Sequence, residues 1–238
     1  MTTFEHPYLL YAPSSSVAVP TVLAGFSSAS LPVDDSTLAY DRSIRSHLRW
    51  RLERATADLE ATAVVDELSV CSGIARVDLA VLNGALHGFE IKSERDTLAR
   101  LHSQSQFFSE VVDYMTLVVV DRFVPEATAI VPQWWGVSVA RRRGRSVHFD
   151  TIRDCAPNPH VSVLPFLEFL WRDEAYNLAL ETGVASGLKA ASKSKLYRRL
   201  AERVPWKVLH HSVLDKLRTR VSSSPFEPHT SRVALSQR

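Results

Sequence analysis

IARVDLAVLNGALHGFEIKSERDTLARLHSQ, residues 74–104, sets acids and a lysine among residues that otherwise read as buried strands. Asp78 lies between Val77 and Leu79, and Glu90 and Lys92 flank Ile91 just after Phe89. Alternating apolar residues on both sides of Asn83-Gly84-Ala85 predict a hairpin with strands near 74–82 and 86–92. Pairing Leu79 with Phe89 and Val77 with Ile91 gathers these four apolar side chains on one face and sets Asp78 opposite Glu90. A slip of one residue would scatter both the apolar face and the acids, so packing and acid clustering select the same register.

Upstream, residues 63–70 form a third strand candidate. A turn from Cys71 to Ile74 would pair Leu68 with Val77 and bring Glu67 opposite Asp78, with Asp66 as the competing acid under a one-residue slip. From Asp41 onward, Ile44, Leu48, Leu52, Ala55 and Leu59 recur at helical spacing, which predicts an amphipathic helix covering the sheet. Its other face carries Arg45, Arg49, Arg51 and Arg54, expected to be solvated. Residues 1–38 show no sustained period and are expected to form an irregular arm.

Downstream, Ser93 or Asp96 is the expected N-cap of a helix from Thr97 to about Tyr114. Gln104 falls on the apolar side of that helix, between Leu101 and Phe108, so its amide should point at the sheet, where a polar group needs a partner. MTLVVVD, residues 115–121, reads as a central buried strand, and 124–131 as a short helix. Trp134 and Trp135 are expected in packing, followed by an edge hairpin of VSVA and SVHF. Residues 150–162 read as a linker and three helical segments follow, the second with Leu196, Leu200 and Val204 inside and Lys195, Arg199 and Arg203 as a basic stripe. The predicted fold class is α/β (α+β): a mixed central sheet in αβββαβ order with a C-terminal helical region. The predicted division is an arm over 1–38, a core over 39–150 and a basic helical region over 151–238.

With 238 residues the chain is long enough for a proper core. Cys71 and Cys155 are far apart without a CxxC partner, which speaks against a disulfide framework or zinc ribbon and for a reducing, cytoplasmic setting. The start, MTTFEHPYLLYAPSSS, carries an acid where a secretion signal carries bases. The net charge is only +2, yet residues 189–220 hold ten Lys/Arg against Glu202 and Asp215. Such a block suits a polyanion, with a solvated helix surface as the alternative.

Glu90 and Lys92 are two apart on a strand and project to one face, and the hairpin register adds Asp78. Carboxylates that close repel one another unless a cation is shared. Oxygen-only donors suit Mg²⁺ or Mn²⁺, with Lys92 placed to orient water or offset charge on a phosphate. These residues resemble the PD-(D/E)XK superfamily of restriction-endonuclease-like phosphodiesterases: Glu67, Asp78 and Glu90-Ile91-Lys92 in αβββαβ order, then Gln104 on the next helix. The chain departs from the family pattern in carrying Val77 in place of the proline, and Phe108 where the Gln-x-x-x-Tyr motif has tyrosine. EIKSERDTLARL and VPQWWGV look like one bacterial branch of predicted nucleases within that superfamily.

The resemblance implies catalytic roles for Asp78, Glu90, Lys92, Glu67 and Gln104, with Mg²⁺ or Mn²⁺ at Asp78, Glu90 and Glu67. Arg100, Lys195, Arg199 and Arg203 are the expected contacts to nucleic acid, DNA ahead of RNA. A non-catalytic nucleic-acid-binding protein that keeps the fold is the alternative, and the oligomeric state, a homodimer included, stays open.

Overall fold

The computed structural model describes residues 37–144 and 146–223; residues 1–36 of the expected arm and 224–238 of the expected helical region lie outside the described residues. The chain runs α1 (Thr37–Ala55), β1 (Ala63–Val70), β2 (Ala75–Leu82), β3 (Leu86–Lys92), α2 (Leu101–Ser109), β4 (Tyr114–Val119), α3 (Val124–Ile130), β5 (Gly136–Arg143) and β6 (Ser146–Arg153). Four helices follow: α4 (Val163–Leu167), α5 (Arg172–Glu181), α6 (Lys193–Arg203) and α7 (Trp206–Ser223). The mixed α/β class and the αβββαβ order are as the sequence predicts. The six strands lie in the order β1-β2-β3-β4-β5-β6, antiparallel at both ends and parallel where β4 meets β3 and β5. β4 is therefore central, as its uninterrupted apolar sequence requires, because a strand covered on both faces has no polar side.

The hairpin register is the expected one. Leu79 pairs with Phe89 and Leu82 with Leu86, leaving Asn83-Gly84-Ala85 as the loop. α1 lays Ile44, Leu48 and Leu52 on one sheet face, against Leu79, Val81, Phe89, Ile91 and Val118. Burying each such side chain stabilises the fold by about 1.5–3 kcal/mol. The opposite face packs Leu68, Val77, Ala80, Leu86 and Met115 with α2 and with Phe166, Leu196, Leu200 and Leu217 of the C-terminal helices in one cluster. The apolar cluster on this second face thus joins the sheet to the helices beyond 151, and β6 crosses the expected boundary at 150. Among the described residues no helix is long and apolar enough to cross a membrane.

Four expectations are corrected. Val77 does not share a face with Leu79, Phe89 and Ile91; it packs on the α2 side. On β1 both Val65 and Leu68, three apart, face the same cluster, and on β2 so do Val77 and Ala80. The register is kept across this point, Asp66 with Leu79 and then Leu68 with Val77, although Glu67 and Asp78 between them do not pair, so the two strands turn over together without a slip. Glu67, at the turnover, has φ 53°, a left-handed conformation that a side chain with a Cβ adopts only under constraint. Second, α2 starts at Leu101 with Arg100 as a cap that offers no side-chain hydrogen bond, not at Ser93 or Asp96. The Asp96 carboxylate is engaged backwards by the Ser93 N–H and hydroxyl (2.8 and 2.7 Å), which closes a turn where a helix entry was expected. Third, α1 begins at Thr37, inside the expected arm, and ends at Ala55, short of Leu59. Fourth, the first of the three expected C-terminal segments divides into α4 and α5 at Trp171, giving four helices.

Gly88 belongs to what positions the site, because it precedes Glu90 by two on the same face of β3. A Cβ there would stand 2.6 Å from Met115 Sδ and 3.1 Å from Val77 Cγ1. Gly88→Val is expected to lower stability by about 1–3 kcal/mol, the usual cost of overpacking a filled core, read as the midpoint of urea unfolding. An unchanged midpoint would show that Met115 yields freely.

Candidate active site

Glu67, Asp78, Glu90, Lys92, Arg100 and Gln104 line one cleft of about 520 Å³, between the open end of the β1–β3 sheet and the start of α2. Sequence spacing alone brings Glu90 and Lys92 together; the others arrive through the fold. β3 aims Glu90 and Lys92 toward α2, and both are almost fully buried, at 2% and 5% exposure. Lys92 Nζ donates to Glu90 Oε1 (2.6 Å) and to Gln104 Oε1 (3.0 Å), while Gln104 Nε2 donates to the same Glu90 oxygen (2.7 Å). Gln104 thus points at the sheet as its helical position predicts, and its amide ties lysine and glutamate into a closed triangle.

Glu90 Oε2 is buried with no hydrogen-bond partner. An unpartnered carboxylate oxygen in the interior is costly. Burial above all, and then the nearby Asp78 charge, push the Glu90 carboxyl up to about 7, against the pull of Lys92 and Gln104. Burial also pushes the Asp78 carboxyl up, opposed by Arg45 and by the Ile91 N–H.

Asp78 is not opposite Glu90 in a continuous ladder. Pairing between β2 and β3 ends at Leu79–Phe89. Beyond it the Asp78 side chain takes over: its Oδ2 accepts from the Ile91 N–H at 2.7 Å, where the next backbone carbonyl would have served. This anchors the carboxylate to β3 beside Glu90, so the two acids converge by a different route from the one the register implies. Glu67 and Asp78 also leave the β1–β2 ladder, at the turnover described above. Glu67 Oε1 accepts from Arg45 (2.5 Å) and Oε2 from Arg76 Nε (2.9 Å), so both its oxygens are engaged. Asp66, its competitor, pairs with Arg49 and does not line the cleft.

Arg100 is exposed on the cleft wall. Lys195, Arg199 and Arg203 are not among the cleft-lining residues; Lys195 and Arg203 are exposed on α6 and Arg199 is half-buried, donating to the Val184 carbonyl (3.4 Å). Two cleft features escaped sequence reasoning. Arg45, expected to be solvated, reaches Glu67 and Asp78 together. Ile74 stands 69% exposed on the rim, at the end of a turn in which Cys71, Ser72 and Gly73 all have positive φ.

Whether Mg²⁺ or Mn²⁺ suits these residues can be judged from the donors. Glu90 Oε2 lacks any partner and Asp78 lies on the same cleft, and both are the hard oxygen donors such ions take. Among the described residues, however, no group of three or more His, Cys, Asp and Glu is gathered as a ready metal cage, and ion pairs with arginine hold Glu67 and Asp78. The fit is with two acids, Asp78 and Glu90.

The family model for bacteriophage P4 protein cII matches residues 35–232 of this chain. Protein cII of Enterobacteria phage P4 is 30% identical over 126 residues, which cover 53% of this chain and 48% of that protein, so the chain spans about half the length of the curated relative it matches. The solved structure of SPO1766, a protein of unknown function from Silicibacter pomeroyi, is similar over 63% of this chain and 91% of that one, at 18% identity and a TM-score of 0.31.

Proposed function

We propose, from the premise that this chain belongs to the bacteriophage P4 protein cII family, that it is a divalent-metal-dependent nuclease of the PD-(D/E)XK type, cleaving DNA in preference to RNA. The observation that carries this reading is the buried Glu90–Lys92–Gln104 triangle with one bare carboxylate oxygen, opening on the cleft that also holds Asp78. A buried ionisable pair in a polar cleft, with one acid raised to about 7, is the pattern of a working site more than of a structural ion pair.

Asp78 and Glu90 would hold the ion, which when bound supplies positive charge at the scissile phosphate and lowers the pKa of water. Water oxygen forms the new bond to phosphorus as one ester P–O bond breaks; the attacking water gives up one proton to solvent and the departing oxygen takes one up from solvent. The Lys92 ammonium, aimed by Glu90 and Gln104, donates hydrogen bonds to that water or to the phosphoryl oxygens as negative charge builds on them. Gln104 keeps the ammonium from collapsing fully onto Glu90. Arg100, exposed on the cleft wall, contacts a flanking phosphate. The exposed cations of α6 extend the positive surface and contribute non-specific affinity, which falls with salt as counterions are released.

The test is incubation of the purified protein with single-stranded, duplex and branched DNA and with RNA, each with and without Mg²⁺ or Mn²⁺. Cleavage that requires the ion and is stronger on DNA is expected. Salt-sensitive binding without cleavage under any ion would instead identify a nucleic-acid-binding protein with the same fold. Charge reversal at Lys195 and Arg203 together is expected to weaken DNA binding by roughly tenfold or more at moderate salt and to flatten its salt dependence. An unchanged salt slope in a filter-binding titration would remove α6 from the interface.

A further inference from the structure

Arg45 comes from α1, on the far side of the sheet from α2, yet its guanidinium reaches the acids of the cleft. Nη1 donates to Glu67 Oε1 (2.5 Å) and to the Asp78 carbonyl (3.1 Å), and Nη2 pairs with Asp78 Oδ1. Asp78 Oδ2 is meanwhile committed to the Ile91 N–H (2.7 Å). Both carboxylate oxygens of Asp78 are therefore engaged, whereas Glu90 keeps one oxygen bare. The two holds on Asp78 differ in kind. Releasing Oδ2 means breaking a contact to the backbone of a buried strand. Releasing Oδ1 means moving one long side chain that is about one-third exposed, at 34%.

A guanidinium and a divalent ion on the same carboxylate oxygen would stand a few ångströms apart, and like charges at that separation repel strongly away from bulk water. One must yield. Glu67 supplies the place for Arg45 to go, because its Oε1 already accepts from Nη1 and its left-handed backbone, with Arg76 on Oε2, holds it at the cleft edge. We propose that Arg45 is the exchangeable counter-ion of this site: it neutralises Asp78 when no metal is bound, and it withdraws onto Glu67 to release Asp78 Oδ1 when a divalent cation enters. This rests on the metal-dependent reading only for the identity of the incoming cation. In the exchange no covalent bond is made or broken; one positive charge leaves Asp78 as another arrives. Glu67 then acts as a positioning residue, parking the arginine.

The consequence is competition. Metal-free wild-type protein binds Mn²⁺ less tightly than a variant in which nothing holds Asp78 Oδ1. Calorimetric titration of Mn²⁺ into the full chain, without nucleic acid, compares wild type with Arg45→Gln and Arg45→Lys. Arg45→Gln is expected to bind Mn²⁺ roughly tenfold more tightly, the factor set by losing one partly exposed ion pair. Arg45→Lys is expected to fall between, because an ammonium cannot bridge two carboxylates in the manner of a planar fork. Without metal, Arg45→Gln should unfold at a lower temperature than wild type, and saturating Mn²⁺ should narrow that gap; if Arg45→Gln does not fold, Arg45→Lys carries the comparison. Equal or weaker Mn²⁺ affinity in the folded variants overturns the exchange while leaving the metal site in place. Absence of Mn²⁺ binding in wild type and both variants overturns the exchange and the metal-dependent reading together.

Discussion

Lys92→Ala is expected to lower single-turnover cleavage by about 10³-fold, within the range found when one charged donor to a reacting centre is removed, while nucleic-acid binding changes little. The size of the effect follows from isolation. Lys92 Nζ is held by Glu90 Oε1 and Gln104 Oε1 in a site almost closed to solvent, so bulk water cannot take over its role at the same geometry. Its loss also leaves Glu90 with no adjacent cation, which moves that carboxyl still higher and weakens metal binding at neutral pH. Single-turnover rates with saturating Mn²⁺ separate the two contributions: the part due to Glu90 recovers at high metal concentration and the part due to the missing ammonium does not. Gln104→Leu is the milder companion, since it removes the amide that aims the lysine and leaves the charge in place. Equal nicking of duplex DNA by wild type and Lys92→Ala would end the assignment of Lys92, whatever the metal requirement.

The sequence makes the centre of this site legible for a physical reason. Alternation around Asn83-Gly84-Ala85 sets the register that pairs Leu79 with Phe89, and this leaves Asp78 just beyond the end of the ladder, within reach of the Ile91 N–H. Gln104 was readable because helical spacing places it between Leu101 and Phe108, both fully buried. Where reading failed, the decisive interaction was not periodic. The face change of β1 and β2 depends on a left-handed residue that is not glycine, Glu67, and nothing in the pattern of Val65 and Leu68 announces it beyond their spacing of three. The late start of α2 turns on Asp96, a residue suited to capping, being engaged by Ser93 instead. On sequence Arg45 reads as solvated, because an arginine on the polar side of a helix gives no sign of partners 22 and 33 residues away. Its four-residue spacing from Arg49, which meets Asp66, was the available signal: one row of α1 arginines faces one row of β1 acids.

At Mn²⁺ concentrations below saturation, cleavage is expected to fall by roughly tenfold for each pH unit below about 7 and to level off above it, because one proton must leave the metal-free site before a cation can enter. The group responsible is Glu90. Burial holds its carboxyl near 7, so below that value it is largely protonated and offers neither a charged oxygen to a cation nor full neutralisation of Lys92. The sign for stability runs the other way in metal-free protein. A carboxyl raised from 4.5 to about 7 favours the fold most below pH 4.5 and loses that contribution as pH rises through 7. Added Mn²⁺ should reverse this, since it binds only the ionised form, and the rise in unfolding temperature on adding it should be larger at about pH 8 than at about pH 6. Glu90→Gln keeps an acceptor for Lys92 but cannot ionise; it is expected to lose about 10³-fold in cleavage and to show no dependence of Mn²⁺ stabilisation on pH between these values. The two readouts answer different questions. A pH–rate profile that persists in Glu90→Gln would move the titrating group to Asp78, whose carboxyl burial also raises, whereas a wild-type profile flat from about pH 6 to about pH 8 would mean that neither buried acid has to lose a proton before cleavage.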